Sequence, residues 1–471
     1  MDPDRSTAEL KEEVSCSSFR SLSRDEASIK KGEETFENLK GLGWFVTGLF
    51  VAGELVGGGI VALPTSIIQT GFVPGLIIMI TMILIAAFTS FLLGKSWSVL
   101  LEMWPEYREH TRKPYAEIGF RANGGKMKTI VSIVTNVTQL MSAVVCIELA
   151  SKNIVDFIKA FFNVDVSFCL VVIVVAICLL PLTFLKSPSD FWWAVVIAMF
   201  TTTGAVILIV IGSSIDYGTC APIREVPAPR VTSYFLSIGT ILFSVGGHTA
   251  FPTIQHDMRR PKDFTKSTIV AFSIMLLMYI PTAVLGYLSY GGSLRDSVIN
   301  SIQTMWIQQA INILITLHLF LTLIIVFNPL MQETEELFKV PHRKVGGSTF
   351  ALTAIIFPCI FFIFLEARRR KTKQLGTDEG PVTIKEVFRY NDRFLVTGAC
   401  IVIVVGMIGG GAATFSALRD LATVRFEPPC YTLMGHDVLV GATNCCGLYQ
   451  NVTSIEGVIC SEPHLNFHTQ L

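Results

Sequence analysis

The chain is 471 residues long, 51% hydrophobic and only 16% charged, with 37 basic groups balanced by 37 acidic ones. Soluble domains carry about 25% charged residues, so the composition excludes an ordinary soluble fold and points to a polytopic membrane protein. Zero net charge leaves no basic surplus for nucleic acid and no acidic excess for a solvated, disordered chain.

Residues 1–40 hold ten acids, seven bases and seven serines, with no apolar stretch of the kind a signal peptide needs. They are expected to form a flexible cytosolic tail. A bilayer-crossing helix takes roughly 20 mostly apolar residues. Ten candidate runs follow, at 44–69, 72–94, 129–151, 167–185, 191–212, 233–255, 267–289, 305–330, 348–365 and 394–417. Residues 41–418 are therefore expected to be one all-α transmembrane domain.

The first run contains Gly53-Glu54-Leu55-Val56-Gly57-Gly58-Gly59-Ile60-Val61-Ala62-Leu63-Pro64. Relative to Ala, each helical Gly costs about 1 kcal/mol and Pro about 3, so three glycines and a proline predict an unwound segment. The bland alternative is close helix packing through Gly53 and Gly57. Open backbone is tolerated at membrane depth only when it is buried in protein or lines a cavity. Glu54 lies one helical turn before Gly57 and Gly58, on the face of the break. There it either accepts a coupling proton or caps freed N–H groups. In the second run, Gly94-Lys95-Ser96 imitates the end of a phosphate loop, but Thr89 stands where that motif requires Gly.

The third run aligns Ser132, Thr135 or Asn136, Gln139, Ser142 and Cys146, and Asn136 begins a sequon buried within the run. Glu148 and Lys152, spaced i, i+4, are expected to neutralise each other. The sixth run breaks at Ser244-Val245-Gly246-Gly247-His248-Thr249-Ala250-Phe251-Pro252 and carries Ser237, Thr240 and Ser244 at helical spacing. The two breaks lie five runs apart, as in an inverted repeat of two five-helix halves that each open on a broken helix. His248 beside the second break is expected to line a cavity or cap backbone. The eighth run aligns Gln308, Asn312 and Thr316; His318, two residues on, is expected to face elsewhere. Such stripes turn inward, for interhelical hydrogen bonds or for a polar pathway. Free N–H groups at half-helix starts attract a carboxylate and freed carbonyls accept from an ammonium, so a small zwitterion suits the meeting point.

The stretch Gly246-Gly247-His248-Thr249-Ala250-Phe251-Pro252-Thr253-Ile254-Gln255-His256-Asp257-Met258 resembles the sixth-helix signature of the amino acid/auxin permease family. The likeness continues through Arg260-Pro261, Phe264, Ser267, Tyr279, Pro281, Gly286-Tyr287 and Tyr290-Gly291. The first run, through Pro64 and on to Gly71-Phe72, is similar to the family's opening motif. The resemblance implies a leucine-transporter-like bundle and a secondary transporter of amino acids or related amines, with proton-coupled, sodium-coupled and vesicular branches. It also implies a substrate cradle at Gly57–Gly59 and Ser244–Gly247. Expected substrate contacts are Val56, Gly57, Gly58, Gly59, Ile60, Ser244, Gly246 and Gly247, with Asn136 and Gln139 beside them; Glu54, His248 and Thr316 are candidates for ion coupling. Many members place Asn where this chain has Glu54, which favours protons over sodium. Members usually show eleven helices, yet Val340-Pro341-His342 is followed almost at once by Gly346-Gly347-Ser348-Thr349. The ninth helix is expected to be missing, and a sensor or an inactive variant is the alternative to a carrier.

Charge gives the orientation. With the N-terminus inside, cytosolic segments through the eighth run hold 22 Lys and Arg against 4 outside, as basic loops require. The rule then conflicts with itself, because 332–347 and the eight bases of 366–393 both belong inside while one run, 348–365, separates them. A re-entrant bend at Pro358, an exported basic loop or an absent helix would each resolve it. Residues 419–471, with four cysteines, two bases and the sequon Asn451-Val452-Thr453, suit the opposite, oxidising face. Eleven cysteines without a CxxC pair, and no HExxH, predict no metal, catalytic residue or enzyme; the implied cofactors are none beyond a coupling proton or sodium ion. The bilayer and an amino acid are the expected partners, in the plasma membrane or a vacuolar, lysosomal or vesicular one.

Overall fold

The computed structural model describes residues 37–38, 41–109, 111, 113–162, 164, 166–179, 192–224, 226–295, 297–337 and 352–423. The tails 1–36 and 424–471, with Asn451 and the cysteines at 430, 445, 446 and 460, lie outside the described residues. So does the 338–351 junction where the missing helix is expected.

Helices account for each of the ten apolar runs. The first becomes α1 (Trp44–Leu55), a tight 3-10 segment (Gly58–Ala62) and α2 (Leu63–Thr70), with a 47° bend between its halves. Helix α1 stops because Val56 and Gly57 leave helical geometry, at φ −85°, ψ 70° and φ −109°, ψ −143°. Pro64 falls in the first turn of α2, where its missing N–H has no partner to lose. Gly71, at φ 83°, reverses the chain into α3 (Phe72–Met103), which runs unbroken through Gly94-Lys95-Ser96 and so forms no phosphate loop there. Next come α4 (Pro114–Asn123), α5 (Gly125–Phe162), α6 (Phe168–Leu179) and α7 (Trp192–Cys220).

The sixth run is divided into α8 (Val231–Ser244) and α9 (Phe251–His256), with residues 245–250 outside regular helix. Helices α10 (Phe264–Tyr290) and α11 (Met305–Leu337) supply the next two runs. In the 348–365 run a π-turn (Leu352–Ile356) leads into α12 (Phe357–Leu375), and Pro358 sits in the first turn of that helix. The described part of this run does not turn back at Pro358. It continues through Arg368-Arg369-Arg370-Lys371 to Gly376, in the left-handed region at φ 76°. A short α13 (Ile384–Tyr390), closed by a Thr383–Glu386 capping box, precedes α14 (Arg393–Thr423).

Reciprocity in the packing is what a two-fold relation between halves requires. The first run meets the sixth through α2 on α8 and α9 on α1, the second meets the seventh (α3 on α10), and the third meets the eighth (α5 on α11). Among the cross pairs, α1 on α10 is answered by α3 on α8 and α9, whereas α3 on α12 and α7 on α11 have no counterpart of like extent among the described residues. The outer surface is apolar, as lipid demands, with Ile77, Leu84, Ile133, Phe200, Ile269 and Leu277 exposed. Polar side chains turn inward, among them Thr47, Thr89, Gln139, Ser244, His248, Asn312 and His318.

The chain ahead of α1 is strapped to the loop after α9: Leu42 N–H donates to Asp257 O at 3.0 Å, and Arg259 N–H to Leu42 O at 2.8 Å. On the same side, the bases of α12 are held by carboxylates. Arg369 bridges Glu366 and Glu102, the latter at the end of α3, and Lys373 also meets Glu102 at 2.8 Å. Segment 366–393 thus shares a side with 95–128. The Glu148–Lys152 pair forms at 3.1 Å. Cys169 and Cys220, which fall on the side opposite the bases by helix alternation, are both disulfide-bonded.

Candidate functional site

The two breaks meet, and glycine is what lets them. A Cβ on Gly59 would lie 2.5 Å from Ser244 Oγ and 2.7 Å from its Cα, a backbone collision with no escape. One on Gly247 would meet Leu55 Cδ2 at 2.9 Å, and one on Gly58 would meet Leu149 Cδ2 at 2.9 Å. Tyr279, fully buried on α10, spans both breaks: its hydroxyl reaches Leu55 O at 3.2 Å and Ser244 O at 2.7 Å. Ser237 Oγ donates to Ser66 O at 3.0 Å, fastening α8 to α2.

A cavity of about 60 Å³ opens where the breaks touch, several times the minimum a single water needs. Glu54, Gly57, Gly58 and Gly59 line it from the first break, and Ser244, Gly246, Gly247 and Thr249 from the second. Helix α5 contributes Gln139, Ser142 and Cys146, and α11 contributes His318, Leu319 and Thr322.

Three of these side chains bring a buried polar atom with no hydrogen-bond partner: Glu54 Oε2, Gln139 Nε2 and His318 Nε2. Buried polar atoms are ordinarily paired, so their gathering in one cavity makes it the candidate site. The tautomer of His318 follows from its other nitrogen. Nδ1 lies 3.1 Å from Ala198 O and 2.6 Å from Thr202 Oγ1, both on α7. A carbonyl only accepts, so donation to Ala198 O would place the hydrogen on Nδ1 and leave Nε2 as an acceptor facing the cavity. The site therefore offers two acceptors, a carboxylate oxygen and an imidazole nitrogen, and one amide donor.

Not every expected residue lies here. Val56 and Ile60 are fully buried in the apolar core and form no part of the cavity wall. Asn136 stays off the wall although Gln139, one turn on, reaches it. His248 is drawn away toward α3, where Nε2 meets Ala86 O at 3.0 Å and Thr89 Oγ1 at 3.1 Å and the ring packs on Phe251. Its place is that of a staple, not a cavity group.

The expectation for α11 is corrected. His318, expected to face elsewhere, lines the cavity, while Thr316 does not. Counting by fours from Gln308 through Asn312 to Thr316 rotates the stripe by about 40° per step, since a helix turns every 3.6 residues. Alternating steps of three and four from Asn312 run instead to Ile315, Leu319 and Thr322, and His318 adjoins that line. The missed signal was the drift in the count.

The chain is similar to known proteins in sequence. The model of the family described as transmembrane amino acid transporter protein matches residues 40–367. Amino acid transporter AVT1J of Arabidopsis thaliana is 23% identical over 324 residues, which cover 66% of this chain and 73% of that protein. Vacuolar amino acid transporter 4 of Saccharomyces cerevisiae is 22% identical over 190 residues, covering 39% of this chain but only 27% of that one. Among solved structures, the nucleobase-cation-symport-1 transporter Mhp1, closed with bromovinylhydantoin bound, aligns at a TM-score of 0.46 and 12% identity. That alignment covers 84% of this chain and 96% of Mhp1.

Proposed function

The chain belongs to the transmembrane amino acid transporter protein family, and on that footing we propose that it carries amino acids across a membrane as an ion-coupled secondary transporter. The cavity where the two breaks meet is the substrate site. The observation that supports this most directly is the set of partnerless buried atoms, because a zwitterion completes it. A substrate ammonium donates to Glu54 Oε2 and His318 Nε2, while Gln139 Nε2 serves the carboxylate. Such contacts ignore the substrate's side chain, and the space left for that side chain is small. Small amino acids are the expected cargo.

Protons are preferred to sodium as the coupling ion. A buried ionised carboxylate without a partner is costly, so between substrates Glu54 is best completed by a proton; His318 lines the same cavity as a second acceptor. With the N-terminus cytosolic, the basic side is the cytosolic side. The vacuolar name of the yeast relative favours the membrane of an acidic organelle, across which a proton gradient is at hand.

Uptake into proteoliposomes tests the proposal, with a panel of labelled amino acids, with and without sodium, at two pH values. Concentrative uptake of a small amino acid that follows the proton gradient and ignores sodium is expected. Saturable binding without net flux would instead identify a sensor.

A further inference from the structure

A second, larger cavity, of about 480 Å³, lies at the basic end of the molecule, on the turns of α3 that follow the residues His248 meets. Its cations are Lys95 on α3, Lys262 in the loop before α10 and Arg369 on α12, and its apolar floor is Phe91, Phe362 and Leu395. The carboxylates that also line it are already engaged, Glu102 by Arg369 and Lys373 and Glu366 by Arg369 and Arg370. Lys95 and Lys262 have no carboxylate partner among the described residues; Lys95 only rests over the Phe91 ring, 5.6 Å from its centroid. The cavity therefore has an unmet demand for negative charge beside an apolar surface.

Two observations fix its depth. Lys95 is 23 residues beyond the start of α3 at Phe72, about 35 Å along the axis, just past a hydrocarbon layer of about 30 Å. Beside it, α13 and the start of α14 expose Ile384 (68%), Phe388 (59%) and Phe394 (91%) between the exposed bases Lys385, Arg389 and Arg393. Exposed apolar side chains interleaved with bases belong in the headgroup–acyl boundary. The cavity and this amphipathic corner share Leu395, the residue that follows Phe394.

We propose that the cavity is a binding site for an anionic phospholipid of the leaflet on the basic side. Its phosphate lies between Lys95 and Lys262, and its acyl chains leave over Phe91, Phe362 and Leu395. Charge complementarity at headgroup depth selects this occupant, since a zwitterionic lipid leaves the two lysines unanswered.

Native mass spectrometry of the delipidated full chain, titrated with phosphatidylserine or phosphatidylcholine, tests the assignment. Tighter retention of one phosphatidylserine is expected. Lys95→Gln with Lys262→Gln should weaken it about 25-fold, about fivefold for each lysine at a membrane surface. The Lys95→Arg, Lys262→Arg pair should restore it, and Lys126→Gln, another exposed base of the same side, should leave it unchanged. Equal retention of the two lipids, or a double glutamine variant that binds phosphatidylserine as the native chain does, overturns the proposal. So does inorganic phosphate that competes as strongly as the lipid, which reassigns the cavity to a free anion. Labelling of Lys95→Cys that rises only when residues 1–36 are deleted makes the acidic tail the occupant and overturns it as well.

Discussion

Gly59, in the 3-10 segment of the first break, and Gly398, inside α14, differ sharply in what a methyl group would meet. At Gly59 it would enter Ser244, at 2.5 Å from Oγ, whereas at Gly398 nothing lies within 4 Å. Gly59→Ala should therefore lower uptake at least tenfold with normal membrane expression, while Gly398→Ala transports like the native chain; equal uptake by both would remove the role of the close approach. Tyr279→Phe takes away the one hydroxyl that reaches the carbonyls of both breaks. Leaving buried acceptors unserved costs about 1–3 kcal/mol, which should appear as a lower unfolding midpoint in detergent together with slower uptake. Glu54→Gln keeps the shape of the cavity but cannot exchange a proton. If Glu54 carries the coupling proton, uptake by that variant loses its pH dependence; a profile parallel to that of the native chain assigns the proton elsewhere, with His318 next in line.

Elements divide into those the pattern of residues specifies and those it leaves open. Hydrophobic runs and helix breakers are local signals, and the ten runs, the bend at Gly57–Gly59 and the interruption at Val245–Ala250 could be read from them. Which residues line the cavity depends on helix rotation, set by neighbours far away in the chain. Gln139 and Asn136 both sit on the polar side of α5, yet only Gln139 is buried and reaches the cavity. For His318 the periodicity, counted in threes and fours, gives the side of the helix, whereas the direction of its ring is set by Ala198 and Thr202 of α7. The short α13 offers a prediction of its own. Hydrogen bonds from Lys371, from Thr383 N–H and from the Thr383 hydroxyl hold the Glu386 carboxyl down at about 2, against an ordinary 4.5. A depressed carboxylate stabilises in full above its unfolded value and loses that contribution as pH falls through the folded one. Protection factors in 383–390, taken against the unprotected amide at each pH, should thus hold from pH 7 to pH 4 and fall as pH approaches 2. Loss of protection already near pH 4.5 would contradict the capping box.

At the scale of the whole molecule, the bases and the disulfide-bonded cysteines sit at opposite ends. Segments 95–128 and 366–393 are joined through Glu102 and Arg369, whereas Cys169 begins α6 and Cys220 ends α7. Disulfides persist where the medium is oxidising and basic loops stay in the cytosol, so both features support the same orientation. An impermeant thiol reagent added to intact cells or vesicles from the non-cytosolic face should label Arg230→Cys, and should reach Lys262→Cys only after permeabilisation. The reverse pattern would turn the molecule over. The parity conflict in the charges is a property of the whole chain, and the 338–351 junction that bears on it lies outside the described residues.

Tyr279 has a single hydrogen to share between two carbonyls that belong to opposite halves of the chain. Whatever draws that hydrogen toward Ser244 loosens its hold on Leu55, so neither half can relax unnoticed by the other. A motion that parted the halves would change the sharing of that hydrogen, which makes Tyr279 a natural place for a spectroscopic reporter.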